Sequence, residues 1–310
     1  MSGAVLASEM RLSRTGIWKQ IRHLISLGYQ IESHPKEGYR LLAAPDLLIP
    51  EEILPNLDTM WLARSYHHFR QTTSTNEVLL RLASEGAPNG TAVTAEEQVQ
   101  GRGRLRREWV SPPSAGIYVS LLLTTPLPVM EAAHATSVAA LALVKTLRSR
   151  YDLPAAIKWP NDVLLRGKKL VGILTEMQSD QDYTRFLVVG IGINVNQSAK
   201  DFEGPFRYPA TSVALEAGRS ISRQELLVDF LQRFEILYDS FLEQGFPALA
   251  NELEGVSALL GRSITVHRGK EEIHGKALRF SPEGALIVLT EEGREEYIWV
   301  GDVTRVEGTF

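Results

Sequence analysis

The chain has 310 residues, and a composition of 44% hydrophobic and 23% charged side chains indicates a folded protein with a buried core. It has no cysteine, which excludes disulfides, thiolate zinc sites and cysteine nucleophiles, and its net charge of -4 excludes a histone-like polycation. No window approaches the ~18 unbroken apolar residues of a membrane span, and no signal peptide is recognisable at the N-terminus. We therefore expect a soluble, cytoplasmic protein.

Residues 1–44 carry a net charge of +3 on a chain that is otherwise acidic. Ser13 is a good helix cap, the apolar residues from Ile17 onwards recur at helical spacing, and Gly28 ends the pattern. Two extended arms around a turn at Pro35 and Gly38 then predict a hairpin. This order is typical of a winged helix-turn-helix that binds DNA, for which the second helix would offer Arg14, Thr15, Trp18, Lys19 and Arg22.

A winged helix-turn-helix usually has a leading helix, and we expect residues 1–44 to lack it. Either the segment is truncated or the natural chain starts upstream. Two helices and a two-stranded ribbon are marginally stable alone, and a solvated helix face is the alternative interpretation of the basic residues.

The rest of the chain divides by pattern into three parts. Residues 45–64, with three prolines, predict a linker that contains a short helix over 51–54. Residues 65–261 alternate strands with helices, among them a long helix at about 130–151 and another at 223–244, and predict an α+β domain with a mixed or antiparallel sheet. Residues 262–310 predict a small β-barrel of four strands, 263–266, 272–280, 285–289 and 296–300.

The arginine loop, Gly101-Arg-Gly-Arg-Leu-Arg-Arg107 followed by Trp109, is the densest chemical signal. Its glycines permit motion and close approach to a ligand, and guanidinium groups bind phosphate or carboxylate in bidentate fashion. A solvated loop or an RNA-binding arm is the alternative.

Lys158-Trp-Pro-Asn-Asp162 is the second signal, because it sets one cation beside two oxygen ligands suited to Mg²⁺. A structural turn would explain the same residues. Glycines at 172, 190 and 192 interrupt apolar strands, which indicates places where side chains would block a ligand. Thr73-Ser-Thr-Asn76 precedes a helix and would either cap it or bind a small polar ring. The seven histidines show no metal-ligand spacing.

Taken in order, these motifs resemble those of bacterial biotin–protein ligases. The closest likeness is to the two-function members that also repress the biotin operon, and it extends over nearly the whole chain. The resemblance implies a winged helix-turn-helix, a central mixed-sheet domain of the class II synthetase type and a C-terminal SH3-like barrel. It also implies the substrates biotin and ATP with Mg²⁺, a biotin carboxyl carrier protein and operator DNA as partners, and a homodimer.

The resemblance assigns roles to residues. Those for biotin and the adenylate are Ser74, Thr75, Asn76, Gln98, Arg102, Gly103, Arg104 and Lys158, with Gly101 and Ser120 as further pocket positions. Those for the nucleotide and Mg²⁺ are Asp162, Lys169 and Asn194. Lys158 and Arg104 would be catalytic, with Lys158 bridging the biotin carboxylate and the α-phosphate.

The residue types in these motifs suit the reaction of biotin with ATP that the resemblance implies. A carboxylate with a pKa of about 4.3 is ionised at pH 7, so its obstacle is repulsion by the triphosphate, which cations offset. Arg106 departs from the family pattern, which has glycine there. If the backbone is left-handed at that position, a non-glycine residue costs about 1–2 kcal/mol.

Two alternatives remain open. One is a regulator that senses biotinyl-adenylate without turnover, and the other is a ligase with a vestigial DNA-binding segment.

Overall fold

The computed structural model describes residues 1–34, 37–204 and 208–307. It divides into two compact units, Met1–Leu47 and Leu48–Phe310. Pro35 of the predicted hairpin turn lies outside the described residues. The finer division into a linker at 45–64, a domain at 65–261 and a barrel at 262–310 stays a prediction.

The first unit holds two helices and a hairpin, α1 (Gly3–Glu9), α2 (Arg14–Ser26), β1 (Gln30–His34) and β2 (Gly38–Ala43). Ser13 caps α2 as expected, because its hydroxyl accepts a hydrogen bond from the Gly16 amide at 3.0 Å. Gly28 follows the helix with a φ of +100°. The strands pair antiparallel, so the predicted helix-turn-helix and hairpin are both present.

The second unit begins with residues that the sequence suggests as linker. They form α3 (Pro50–Ile53) and a 3-10 turn (Leu54–Asn56). Leu48, Ile53 and Leu62 are fully buried in the main apolar cluster. This stretch therefore contributes to the core of the second unit.

Further along the chain, strands and helices alternate. They are β3 (Tyr66–Phe69), α4 (Thr75–Ser84), β4 (Ala92–Ala95), β5 (Gly116–Leu123), α5 (His134–Tyr151), β6 (Ala155–Lys158), β7 (Asp162–Leu165), β8 (Lys168–Ser179), β9 (Thr184–Asn194), α6 (Val213–Ala217), α7 (Arg223–Gln244) and α8 (Pro247–Gly255). The long helix starts at His134 rather than near 130, because the residues before it form turns after Pro128.

The seven strands form one mixed sheet in the order β3-β4-β5-β9-β8-β7-β6. Only the pair β3–β4 is parallel among the described strands. Side chains alternate between the faces of a strand. In β5 and β9 one set, which includes Val119 and Ile191, joins α5 and α7 in the main apolar cluster. The other set faces the opposite side of the sheet and includes Leu122 and Val188, which pack against α4.

The C-terminal region is a five-stranded antiparallel sheet with its own apolar cluster. Its strands are β10 (Ser263–Arg268), β11 (Glu271–Phe280), β12 (Leu286–Thr290), β13 (Glu295–Ile298) and β14 (Asp302–Val306), in the order β13-β12-β11-β10-β14. The sequence predicts only four of them and misses β14. Trp159 belongs to the same cluster, so the Lys-Trp-Pro-Asn-Asp segment is tied to this sheet.

Within the described ranges, no helix has both the length and the apolar character needed to cross a lipid bilayer.

Candidate functional site

A cavity of about 600 Å³ lies on the face of the central sheet opposite α5 and α7. Helix α4 covers one end of this face, at Leu122 and Val188. Two residues further along β9, glycine replaces a side chain at 190 and again at 192, and both glycines line the cavity. At these two positions the wall of the cavity is therefore backbone.

The three strand glycines have separate neighbours. A β-carbon at Gly190 would overlap the amide of Asn76, and one at Gly172 or Gly192 would overlap the indole of Trp109. Gly172 and Gly192 are directly opposite each other in the β8–β9 pair. The Trp109 ring therefore lies against a patch of bare backbone. That these glycines make room for a ligand stays a prediction.

Polar groups at the start of α4 form one wall of the cavity. Gln98 accepts a hydrogen bond from the Thr75 amide at 2.9 Å, and the Ser120 hydroxyl lies 2.7 Å from that of Thr75 and 2.6 Å from Asn76 Oδ1. Ser74 occupies the N-cap position of α4 but makes no capping hydrogen bond through its side chain. Capping alone therefore does not account for this motif.

A buried ion pair lies at the strand end that precedes Gln98. Glu96, at the end of β4, lies 2.8 Å from the fully buried guanidinium of Arg223 on α7 and accepts from the Leu48 amide at 2.9 Å. Burial, the largest contribution, lowers the pKa of the neighbouring His68. These contacts fix the strand end from which Gln98 reaches the cavity.

The arginine loop crosses the cavity and places Arg102, Gly103 and Arg104 on its wall. Arg104 donates to Asn161 Oδ1 and to the Gly301 carbonyl, each at 3.0 Å. Burial lowers the pKa of Arg104, and the Asp302 and Asp162 carboxylates oppose that effect. Arg106 has a φ of +57°, so this position does adopt the left-handed backbone that glycine tolerates best.

The two lysines of the predicted site differ in position. Lys169 lines the cavity, and its ammonium lies 2.7 Å from Asp162 Oδ1 and 5.5 Å from the centre of a Trp109 ring. Lys158 is buried and does not line the cavity. Its ammonium lies 4.0 Å from the ring centre of Tyr208, which does. Lys158 is also directly opposite Asp162 in the β6–β7 pair, and its role between carboxylate and phosphate stays a prediction.

The remaining predicted positions also differ in their relation to the cavity. Asp162 and Asn194 line it, whereas Ser120 and Gly101 do not. Ser120 supports Thr75 and Asn76. A β-carbon at Gly101 would overlap the carbonyl of Trp109.

Several wall residues were not identified from the sequence. They are Gln197, Asp201, Tyr208 and Asp302. Asn161 and Arg107, which belong to the two predicted motifs, also line the cavity. Tyr208 and Asp302 lie outside every motif.

Carboxylates near the cavity do not form a metal cage on their own. Within the described ranges, no group of three or more His, Cys, Asp or Glu side chains could hold a metal ion. Asp162 supplies carboxylate oxygen atoms on the wall. One or two carboxylates together with substrate phosphates are the usual ligands of Mg²⁺, so the residues present fit a cation that arrives with a nucleotide.

In the first unit, the five side chains proposed for DNA are all exposed, whereas Ile17 on the same helix is buried. Arg22 lies over the Trp18 ring, 5.6 Å from its centre.

Two family models match the chain. The biotin/lipoate A/B protein ligase family matches residues 68–194, and a helix-turn-helix domain matches residues 1–40. The bifunctional ligase/repressor BirA of Bacillus subtilis is 36% identical over 94% of this chain and 90% of its own length. The biotin–[acetyl-CoA-carboxylase] ligase of Paracoccus denitrificans is 37% identical over 73% of this chain and 94% of its own length.

A solved structure is also similar. The biotin protein ligase from Aquifex aeolicus in complex with biotin and ATP superposes with a TM-score of 0.68 at 32% identity. The match covers 79% of this chain and all of that one.

Proposed function

The chain belongs to the biotin/lipoate A/B protein ligase family, and from that premise we propose that it is an ATP-dependent biotin–protein ligase that also represses transcription. One observation carries the proposal. The loop arginines, Lys169 and the polar groups at the start of α4 line a single cavity.

Biotin would lie against Asn76 and the Trp109 ring, which cover the glycine positions of β8 and β9. Its ureido ring offers both hydrogen-bond donors and acceptors, and Ser74, Thr75, Asn76 and Gln98 supply complementary hydroxyl and amide groups. Its apolar chain would then lie along the Trp109 ring. The carboxylate would reach the part of the cavity where Lys169 and Arg104 lie.

In the first step, a biotin carboxylate oxygen attacks the α-phosphorus of ATP and pyrophosphate leaves. No general base is needed, because a carboxylate with a pKa of about 4.3 is already ionised at pH 7. The barrier is the repulsion between two anions as they approach. Fixed cations in a water-poor cavity lower that barrier.

We propose that Lys158 bridges the carboxylate and the α-phosphate, and that Lys169 is a second cation beside the phosphates. Lys169 has its ammonium on the cavity wall, and Asp162 orients it. Arg102, Gly103 and Arg104 would contact the adenylate from the loop. Asn194 and Asp162 would serve the nucleotide, and Asp162 would also receive the Mg²⁺ that accompanies ATP.

In the second step, the amine of a carrier lysine attacks the acyl carbon of biotinyl-adenylate and AMP leaves. The mixed anhydride is open to hydrolysis, so a loop that closes over it protects it from water. An acceptor with an ordinary pKa of about 10.4 must lose a proton before it attacks. The acceptor is a biotin carboxyl carrier protein.

The helix-turn-helix supports the second activity. Its exposed Arg14, Lys19 and Arg22 suit DNA phosphates, and Thr15 and Trp18 suit base edges or sugars. Two-fold symmetric operators are bound by dimers, so we propose a homodimer on the operator. A repressor must reach its operator DNA, and we therefore place its action in the cytoplasm.

Transfer of biotin to a purified carrier domain tests the ligase activity. Mass spectrometry of the carrier should show one added biotin when biotin, ATP and Mg²⁺ are all present, and none when one is omitted. Formation of the adenylate without transfer would support the alternative of a regulator without turnover. A gel shift on an operator-like palindrome separates a repressor from a ligase whose DNA-binding segment is vestigial.

A further inference from the structure

The arginine loop is attached to the C-terminal sheet at the start of β14. Arg107 Nη2 donates to Asp302 Oδ2 at 2.6 Å, and Arg104 Nη2 donates to the Gly301 carbonyl at 3.0 Å. The partners are 195 and 197 positions apart in the chain. Two guanidinium groups of a ligand-binding loop are thus held by two consecutive residues of another sheet.

This attachment is partly shielded from solvent. The side chain of Asp302 is 19% exposed and that of Arg107 is 39% exposed. An ion pair in such a position is screened less than one on the open surface. Because the hydrogen bond is charge-assisted, it is also stronger than a bond between neutral groups.

Asp302, which holds Arg107, belongs to a paired strand rather than to another loop. Asp302 is opposite His267 in the β10–β14 ladder, and Val303, the next residue, is buried and opposite Val266. The position of the Asp302 carboxylate is therefore set by the C-terminal sheet.

The loop has backbone hydrogen bonds of its own, such as that from the Gly103 amide to the Arg107 carbonyl at 2.7 Å, but it also contains unfavourable backbone. Between the two held arginines, Leu105 and Arg106 both have left-handed backbone, with φ of 56° and 57°. Left-handed backbone is unfavourable for residues with a β-carbon. Contacts from outside the loop add to its own hydrogen bonds in offsetting the cost of this conformation.

We propose that Asp302 is a positioning residue, which holds Arg107 and through it the arginine loop over the cavity. The inference rests on the proposed ligase function and assigns part of that function to the C-terminal sheet. Without the carboxylate, the loop should open more often and biotinyl-adenylate should dissociate faster. The chemical step on a bound substrate should change less, because the negative carboxylate of Asp302 cannot itself stabilise the negative charge of the phosphates.

The experiment uses the full chain as Asp302→Asn, Arg107→Gln and the double variant. For each, we would measure the dissociation rate of biotinyl-adenylate, and the KM for ATP and kcat of pyrophosphate exchange. Glu295→Gln is the matched control, because Glu295 pairs with Arg279 at 2.9 Å on the exposed face of the same sheet. Thermal unfolding checks that each variant is folded.

Each single variant should release the adenylate about tenfold faster, which corresponds to the loss of one charge-assisted hydrogen bond. KM for ATP should rise more than kcat falls, and the double variant should be no worse than either single variant. Glu295→Gln should match the wild type.

Wild-type release rates in the single variants, or effects that multiply in the double variant, would overturn the proposal. Arg107→Gln keeps the test valid if Asp302→Asn does not fold, because Arg107 is on a half-exposed loop. If the wild type forms no adenylate at all, the proposed function fails, which is a different result from the failure of the anchor.

Discussion

The ammonium of Lys169 lies 2.7 Å from the carboxylate of Asp162, and both side chains line the cavity on the central sheet. Asp162 begins β7 and Lys169 is the second residue of β8. The pairing keeps a cation at a defined place where an incoming carboxylate and phosphate would otherwise repel each other.

Replacing Arg106 by glycine should stabilise the protein. A non-glycine residue with a φ of +57° is strained, and its removal should raise the free energy of unfolding by up to about 1 kcal/mol after the added chain entropy of glycine is subtracted. The adenylate should also dissociate more slowly. Arg106→Ala is the matched variant, because it removes the same side chain and leaves the strain. If the glycine and alanine variants behave alike in unfolding and release, the strain argument is wrong.

Replacing Gly190 by alanine should weaken biotin binding by at least about tenfold, since the new methyl group would overlap the Asn76 amide and displace it from the cavity wall. Isothermal titration with biotin measures the effect. Gly255→Ala is the control, because a β-carbon there would meet no atom within 4 Å. Equal affinities of the two variants for biotin would contradict the placement of Asn76 in the biotin site.

Stability should fall in mild acid through His134. Burial lowers the pKa of this residue from its ordinary value near 6.5 to about 4, and a backbone hydrogen bond involving Glu283 opposes that shift. The unfolded state therefore binds one more proton than the folded state between those two pH values, and the free energy of unfolding decreases as the pH falls. The full loss is on the order of 3 kcal/mol.

Urea unfolding at pH 7.5 and pH 5 measures this dependence. His134→Phe suits the neighbouring rings of Phe241 and Phe246 and should reduce it. The same substitution at the exposed His23 should leave it unchanged. If the free energy of unfolding of His134→Phe depends on pH as in the wild type, groups other than His134 cause the loss of stability in acid.

Replacing Lys19 by alanine should lower the slope of log affinity for operator DNA against log salt by about one, as expected for one lost phosphate contact. Fluorescence anisotropy over a range of salt concentrations measures the slope. Arg294→Ala, at an exposed site in the turn before β13, should not change it. A slope that is the same for Lys19→Ala and wild type would contradict the docking of α2 on DNA.

Much of the site could be predicted from the sequence, because its residues cluster in short motifs whose neighbours along the chain remain neighbours in space. Gly190 and Gly192 are two residues apart on one strand, so both face the same side of the sheet. Ser74, Thr75 and Asn76 share the first turn of α4, which directs them together at that face.

The face of the sheet on which Lys169 lies could not be predicted in this way. Simple alternation along β8 would put Lys169 on the face opposite to Gly172. The β7–β8 register shifts between Val163 and Leu164, and Leu170 and Val171 are both buried in the main apolar cluster. This bulge returns Lys169 to the cavity side. Lys158 is opposite Asp162 on the next strand but packs against Tyr208, a contact 50 positions away that no local pattern reveals.

Asp302 was missed for a related reason. It begins a five-residue strand that has one strongly buried residue, Val303, so its hydrophobic pattern is weak. Its contact with Arg107 depends on how the C-terminal sheet packs beside the loop, which is a property of the tertiary structure alone.

Biotin-dependent exchange of labelled pyrophosphate into ATP tests the central claim most directly, when wild type is compared with Lys169→Gln and Lys168→Gln. Lys168 adjoins Lys169 but is exposed and pairs with Glu216 at 3.3 Å, so it is a matched control. We predict exchange by wild type and Lys168→Gln only when biotin is present, and a loss of about a hundredfold or more in Lys169→Gln. Exchange by Lys169→Gln at the wild-type rate, or none by the wild type, would contradict the account.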